Sequence, residues 1–442
     1  MKDLASLVGV LKGLALRARE DVRSNKALIR FVADALSKVY RAALQHGDSA
    51  AASSSLEIMK SLLRDVSEEL GRDVELKPLL ATLNMVLAES LAGGGDLERS
   101  KKFLESAYSM IDSLPNPIKA LSYIDLATIA LKLGEPSRAK DLVSMARDEA
   151  LSYRPASPQG FVERISVLTA LVSLAVRAGI EGEALSIART IVNEVTSYGD
   201  ETPTKSIEDA AEAVALVKSI EGSGELADTL MRFVNEKRVL DYYLPVIEVF
   251  SREGILSREV AEGLLKTLAA YLDSIEVVGN DASAVFTVMN RYFYKAVIAR
   301  VACRAGLTDL ARDVSRAVLA EISTLIRITP KDSVQDAYAL VLPVAPQLPV
   351  IAEYLIKAGC RDVGEELLKK AMELASRAVL EGPLATSLGR EFIETHRYLT
   401  YVGVVRAASS ASMKDLVNEA LGRIDRDEYL ALAIGQVLAE NA

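Results

Sequence analysis

The stretch LATIALKLGEPSRAKDLVSMA, residues 126–146, decides the fold of this chain. Apolar residues spaced three and four apart end at Gly134, and five residues later Ala139 opens a second series with the same spacing. This spacing indicates amphipathic helices, and a glycine just past a helix end adopts the left-handed conformation without a Cβ clash. A small residue such as Ala139 lets the two helices approach closely. The stretch therefore predicts an antiparallel helix pair.

The same pattern returns along most of the chain. Clear copies surround three further glycines and weaker copies surround four more: Gly179, Gly306 and Gly359, then Gly47, Gly95, Gly222 and Gly254. Such recurrence predicts stacked helix pairs, because each pair must bury its apolar face against a neighbouring pair. Period-two alternation of apolar residues is not sustained anywhere, so we expect no sheet.

The predicted fold is all-α, a right-handed α-α superhelix of stacked antiparallel helix pairs. We expect one solenoid over residues 1–442, with a soft boundary near 199–204 that separates N-terminal repeats (1–199) from C-terminal repeats (205–442). The boundary follows a loop that carries glycine, acidic residues and proline.

The frame resembles the tetratricopeptide repeat, in a divergent form with long helices. The resemblance rests on the positions that this family uses for packing: Leu126, Ala127, Ala130, Gly134, Ala139, Val143 and Ala146. It implies a scaffold that binds a protein or peptide in a concave groove lined by the first helix of each pair. It also implies which side chains of the clearest copies face that groove: Thr128, Leu131, Lys132, Ser173, Val176, Arg177, Arg300, Arg304, Glu353, Ile356 and Lys357.

A basic residue recurs two positions before the turn glycine in five copies: Lys132, Arg177, Arg252, Arg304 and Lys357. Two explanations are open for these side chains. A cation in the last helical turn offsets the helix dipole and the unpaired carbonyls there. The same cations, together with Arg300, could form a ridge that binds a partner segment of acidic character.

The N-terminal region offers an alternative basic face. Residues 12–41 have a local net charge of +5, and their cations are spaced to share one side of a single continuous helix: Lys12, Arg19, Arg23, Lys26 and Arg30. Such a face would suit an acidic partner, nucleic acid, a membrane surface or a ribosome-associated role, and the alternative is a solvated face that caps helix ends. A break near Ser24 and Asn25 would split the basic face. The net charge of −9 for the whole chain argues against general nucleic-acid binding, without excluding it.

Enzymatic chemistry has one weak candidate, the group Glu391, Glu394 and His396 near the C-terminus. The glycine runs lack the lysine and serine or threonine of a phosphate loop, and the two histidines lack metal-site spacing. We therefore expect a non-enzymatic protein with no cofactor and no metal.

Composition points to a reducing, cytoplasmic setting, because the chain has only two cysteines and starts without a leader sequence. We expect free thiols at Cys303 and Cys360, with a disulfide as the alternative. No apolar run in the sequence is expected to span a membrane, and the segment 337–352 is interpreted as a buried helix with a proline kink. Sparse Asn, Gln and Cys with abundant charge is typical of a thermophile's protein. The oligomeric state is left open.

Overall fold

In the computed structural model, the described residues are 4–70, 74–199, 201–276, 282–328, 334–378 and 383–441. They form helices and turns, and no strand occurs among them. The all-α prediction is therefore confirmed. The chain divides into two compact units, one that ends at Val249 and one that runs from Phe250 to Asn441.

The first unit contains eleven helices. They are α1 (Leu4–Glu20), α2 (Lys26–Gln45), α3 (Ser49–Leu70), α4 (Lys77–Gly93), α5 (Leu97–Ile111), α6 (Ile118–Lys132), α7 (Pro136–Ser152), α8 (Pro158–Arg177), α9 (Glu181–Ser197), α10 (Thr204–Leu216) and α11 (Gly224–Lys237). The helix α12 (Leu240–Arg252) carries the last residues of this unit and the first of the next.

The second unit continues with ten more helices. They are α13 (Arg258–Ser274), α14 (Ala282–Arg304), α15 (Thr308–Ile328), α16 (Val334–Val341), α17 (Gln347–Lys357), α18 (Arg361–Arg377), α19 (Pro383–Leu388), α20 (Arg390–Ser410), α21 (Lys414–Gly422) and α22 (Asp427–Asn441). The division at 249–250 lies later in the chain than the soft boundary expected near 199–204. The helix α10 follows that expected boundary and packs on both α8 and α9, so the core continues across it.

Each helix pair has a first helix, called an A helix below, and a second helix, called a B helix. The A helices of the first unit are α2, α4, α6, α8 and α10, and each contacts the next A helix. The second unit repeats this arrangement with α14, α17 and α20. The B helix of a pair packs against its own A helix. The A helices therefore form a layer within each unit, and this layer is the part of the fold that positions the candidate site.

All eight predicted turn glycines have positive φ angles, between +70° and +87°. In seven of these turns the N–H of the residue after the glycine donates to the carbonyl four residues before the glycine, over 2.7–2.9 Å. Glu135, for example, donates to Ala130. This is the Schellman arrangement, which satisfies carbonyls left unpaired at a helix end. The turn at Gly222 differs, because α10 ends at Leu216 and irregular turns precede the glycine.

A ninth turn of the same kind ends α20, and the glycine pattern does not find it. Ser412 takes the left-handed position with φ of 58°, and the N–H of Met413 donates to the Ala408 carbonyl over 2.9 Å. The second unit therefore contains one helix pair more than the turn glycines indicate.

The apolar segment 337–352 is broken as predicted. Its two helical parts, Asp336–Val344 and Gln347–Lys357, meet at a bend of 52°. The length and apolar character of a helix also indicate whether it could cross a membrane. Among the described residues, α8 is one helix that is long and apolar enough to cross a bilayer, and the bent pair would make a second. More than half of the α8 window is buried inside the protein, which is typical of a core helix.

Replacing Ser412 by glycine should raise the free energy of unfolding by about 0.5–1 kcal/mol, because serine is disfavoured in the left-handed conformation and glycine is not. The measurement is the midpoint of unfolding in urea. The matched control is Gly359→Ser, which should lower the midpoint at the equivalent turn. A Ser412→Gly variant no more stable than the parent would contradict this account of the ninth turn.

Gly364→Ala should destabilise the protein by about 1–3 kcal/mol, because a Cβ there would lie 2.4 Å from Ile356 Cγ1 and 3.0 Å from the Ala352 carbonyl oxygen. Gly263→Ala is the control, since a Cβ at that helical position meets no atom within 4 Å. It should stabilise the protein by about 0.5–1 kcal/mol. Equal effects of the two substitutions on the urea midpoint would refute the close approach at Gly364.

Candidate functional site

The candidate site is the exposed side of the A helices, called the A face below. Two positions of each A helix lie on it, six and two residues before the turn residue, because residues four apart share one side of a helix. In the second unit these positions are Arg300 and Arg304 on α14, Glu353 and Lys357 on α17, and Arg406 and Ser410 on α20. The predicted residues Arg300, Arg304 and Lys357 therefore lie on one layer of neighbouring helices.

A carboxylate links the A helices of the second unit. Arg406 donates from Nε and Nη2 to Glu353 Oε2 over 3.0 and 2.8 Å, and Lys357 Nζ donates to Glu353 Oε1 over 2.6 Å. Arg300 Nη1 donates to Gln347 Oε1 over 3.1 Å. Burial alone would raise the pKa of Glu353, but the hydrogen bond from Lys357 and the charge of Arg406 outweigh it and lower the pKa. The carboxylate is thus ionised at neutral pH.

The A face of the second unit carries a net positive charge at these positions. Four of the six side chains are cationic and Glu353 is the single acid among them. The turn-glycine pattern does not identify Arg406, because the turn residue that follows it is Ser412. The spacing of 53 residues between Glu353 and Arg406 is the signal that could have found it.

At the equivalent positions the A face of the first unit carries three cations, Arg41, Lys132 and Arg177, and one acid, Glu89. Lys132 Nζ lies 2.6 Å from Glu89 Oε1, and Arg41 Nη1 lies 4.0 Å from the same atom. Arg177 is exposed, and within the part of the chain that is described it makes no ion pair. Of the predicted ridge residues in this unit, Lys132 forms an ion pair with Glu89, whereas the exposed Arg177 forms none within the described residues.

The recurrent cations all occupy the last residue of a helix. This holds for the five residues Lys132, Arg177, Arg252, Arg304 and Lys357. The position agrees with stabilisation of the helix dipole. Arg252 additionally pairs with the adjacent Glu253 over 3.0 Å. Neither observation removes these cations from the protein surface, so helix stabilisation and partner binding remain compatible for the same side chains.

Asp125 is a site residue that sequence reasoning missed. It lies on α6 among the exposed residues Leu121 and Lys132, and no hydrogen bond or ion pair of its carboxylate occurs within the described residues. Its side chain reaches solvent, yet neighbouring protein displaces part of its hydration. This burial raises the pKa of Asp125 to about 6, with an opposing effect from Arg30 and a further increase from Glu89.

The N-terminal basic face is divided by the structure. The helix α1 ends at Glu20 and α2 begins at Lys26, so the break expected near Ser24 and Asn25 is present. Lys12 and Arg19 lie on α1, Arg23 lies in the turn, and Lys26 and Arg30 lie on α2. Acids also engage two of these cations, since Arg19 Nε lies 2.5 Å from Asp65 Oδ2 and Lys26 Nζ lies 3.4 Å from Glu75 Oε2. The five cations therefore do not lie on one continuous helix, which the alternative basic face requires.

The candidate catalytic group at the C-terminal end is not assembled. Glu394 receives hydrogen bonds of 2.6 Å from both Arg390 and Arg426, and the bond from Arg390 is the main cause of its lowered pKa. His396 does not join the cleft that Glu391 and Glu394 line, because its Nδ1 bonds to the Phe392 carbonyl over 2.8 Å. Glu394 is therefore an ionised carboxylate that two arginines hold in structural ion pairs, and His396 is not part of this group.

The two cysteines are free thiols, and burial raises the pKa of Cys303 to about 12. A thiol with such a pKa is a poor nucleophile at neutral pH. Within the described ranges, no three side chains of histidine, cysteine, aspartate or glutamate are grouped in a way that could hold a metal ion.

Comparison with known proteins gives limited information. No protein-family model matches the chain, and no curated protein matches it. One similar solved structure is a circular tandem repeat protein with novel repeat topology and enhanced subunit contact surfaces, at 16% identity and a TM-score of 0.28, covering 99% of this chain and 90% of the other. Another is Ton1535 from Thermococcus onnurineus NA1, at 13% identity and a TM-score of 0.29, covering 97% and 99%. These likenesses support no statement about function. The chain is a helical repeat protein, and its assignment to the tetratricopeptide family stays a prediction.

Asp125→Asn should make the stability of the protein less dependent on pH. Between pH 3.8 and about 6 the folded parent binds more protons at Asp125 than the unfolded chain, so the parent loses stability relative to the variant as pH rises through this window. The variant should melt at a higher temperature at pH 7–8, and the two should converge near pH 4. A melting difference that is constant from pH 4 to 8 would contradict the raised pKa.

Proposed function

We propose that this protein is a non-enzymatic scaffold that binds an acidic segment of a partner protein on the A face of its second unit. The observation that carries the proposal is the group of cations on neighbouring A helices, Arg300, Arg304, Lys357 and Arg406, of which Lys357 and Arg406 hold a single carboxylate, Glu353. Clustered cations at a protein surface attract a partner of opposite charge and fix its register. Lys132, Arg177 and Arg252 are the further candidate contacts.

The spacing of the A helices indicates the form of the partner segment. Helices that pack side by side are roughly 8–10 Å apart, and an extended chain advances roughly 3.3 Å per residue. An extended peptide that crosses α14, α17 and α20 would therefore meet cations of successive helices about every third residue. Carboxylates at that interval fit the face, and apolar residues between them would cover the helix surfaces.

The direct test is a binding titration of the full chain with a short fluorescent peptide that has glutamate at every third position. We expect the double variant Arg304→Glu and Lys357→Glu to weaken binding at least tenfold, and we expect salt to weaken binding to the parent protein. A peptide with glutamine in place of glutamate should bind weakly to all forms.

The matched control reverses two exposed cations on B helices of the same unit, Lys266 and Lys369, which changes the net charge by the same amount. This control should bind the glutamate peptide nearly as well as the parent. Equal weakening by both double variants would show that only net charge matters. No binding by the parent even at low salt would reject the proposed function.

A further inference from the structure

Glu353 lies deeper in the A face than the two cations that hold it. Its side chain is 12% exposed, whereas the side chains of Lys357 and Arg406 are 56% and 34% exposed. A ligand that approaches from solvent therefore reaches the cations before it reaches the acid. The cations are held in place but are not enclosed.

The position of Glu353 in its repeat also distinguishes it. Glu353 and Arg406 are 53 residues apart and occupy equivalent positions, six residues before their turn residues Gly359 and Ser412. Arg300 occupies the same position before Gly306. An acid thus stands between two arginines at equivalent places on three neighbouring A helices. Its carboxylate meets the ammonium and guanidinium groups that a carboxylate of a partner would also seek.

We propose that Lys357 and Arg406 form a carboxylate-binding site whose internal occupant is Glu353, so that an acidic partner must share or displace this side chain. The inference rests on the proposed function, from which it takes the class of partner, an acidic segment. It adds that Glu353 limits the affinity with which this segment binds.

The donor groups permit such an exchange. Arg406 uses Nε and Nη2 on one oxygen of Glu353, and a guanidinium has five N–H groups in all. Lys357 makes its 2.6 Å bond to the other oxygen, and its side chain is 56% exposed. A second carboxylate can therefore bind the same two cations, but the negative charge of Glu353 opposes it at close range. Removing that charge while keeping the shape of the side chain should favour the ligand.

The test is the substitution Glu353→Gln, measured with the glutamate peptide and the glutamine peptide by fluorescence titration. We expect the glutamate peptide to bind about three- to tenfold more tightly to the variant than to the parent, with little change for the glutamine peptide. The matched control is Glu365→Gln, which removes an acid paired with Arg361 on the B helix α18 and should leave both affinities unchanged.

The outcomes separate this inference from the proposed function. If the parent binds the glutamate peptide and the variant binds it equally or more weakly with an unchanged melting temperature, Glu353 is only a structural link between helices and the inference is overturned. If neither protein binds, the proposed function fails. If Glu353→Gln lowers the melting temperature, Arg406→Gln gives the second test. It should weaken binding of the glutamate peptide alone, and unchanged binding would also overturn the inference.

Discussion

The left-handed residue that follows every A helix except α10 is the constraint on which the rest of this structure depends. It reverses the chain within a few residues and satisfies the carbonyls that the helix leaves unpaired, as the bond from Glu135 to Ala130 shows. Because the reversal is tight, the next helix must lie against the one just ended. Its first contact position must then be small, which explains the fully buried Ala139 and Ala184 and the tightly enclosed Gly364.

The same constraint sets which side chains reach the surface of the A layer. Counting back from the turn residue, the second residue before it is exposed or half-buried and the sixth is half-buried in every A helix, whatever their identity. In the second unit these places hold arginine, lysine and one glutamate, and in the first unit they include Arg41, Glu89 and Lys132. A packing rule thus fixes the positions of the charged residues, while the choice of side chain at each position sets the charge of the face.

Charge at these positions serves two purposes at once. A cation in the last turn of a helix stabilises the helix end, and that effect is local. Its side chain remains exposed, so it can also interact with a carboxylate of the neighbouring A helix, as Lys132 does with Glu89, or of its own helix, as Lys357 does with Glu353. Each unit has one acid at these positions of the A face, Glu89 in the first and Glu353 in the second, and cations outnumber it in both.

The sequence by itself determined the helix pairs, their turns and the ridge positions, because glycine φ preference and apolar spacing are local properties that a single chain segment displays. It missed the turn at Ser412, since the pattern contains glycine at the left-handed position and serine stands there instead. The sequence also could not show that Arg406 bonds to Glu353 across 53 residues or that Lys132 bonds to Glu89 across 43. These contacts were decided by tertiary structure alone, because a side chain's charge is visible in sequence while its distance to a partner on another helix depends on how the helices pack.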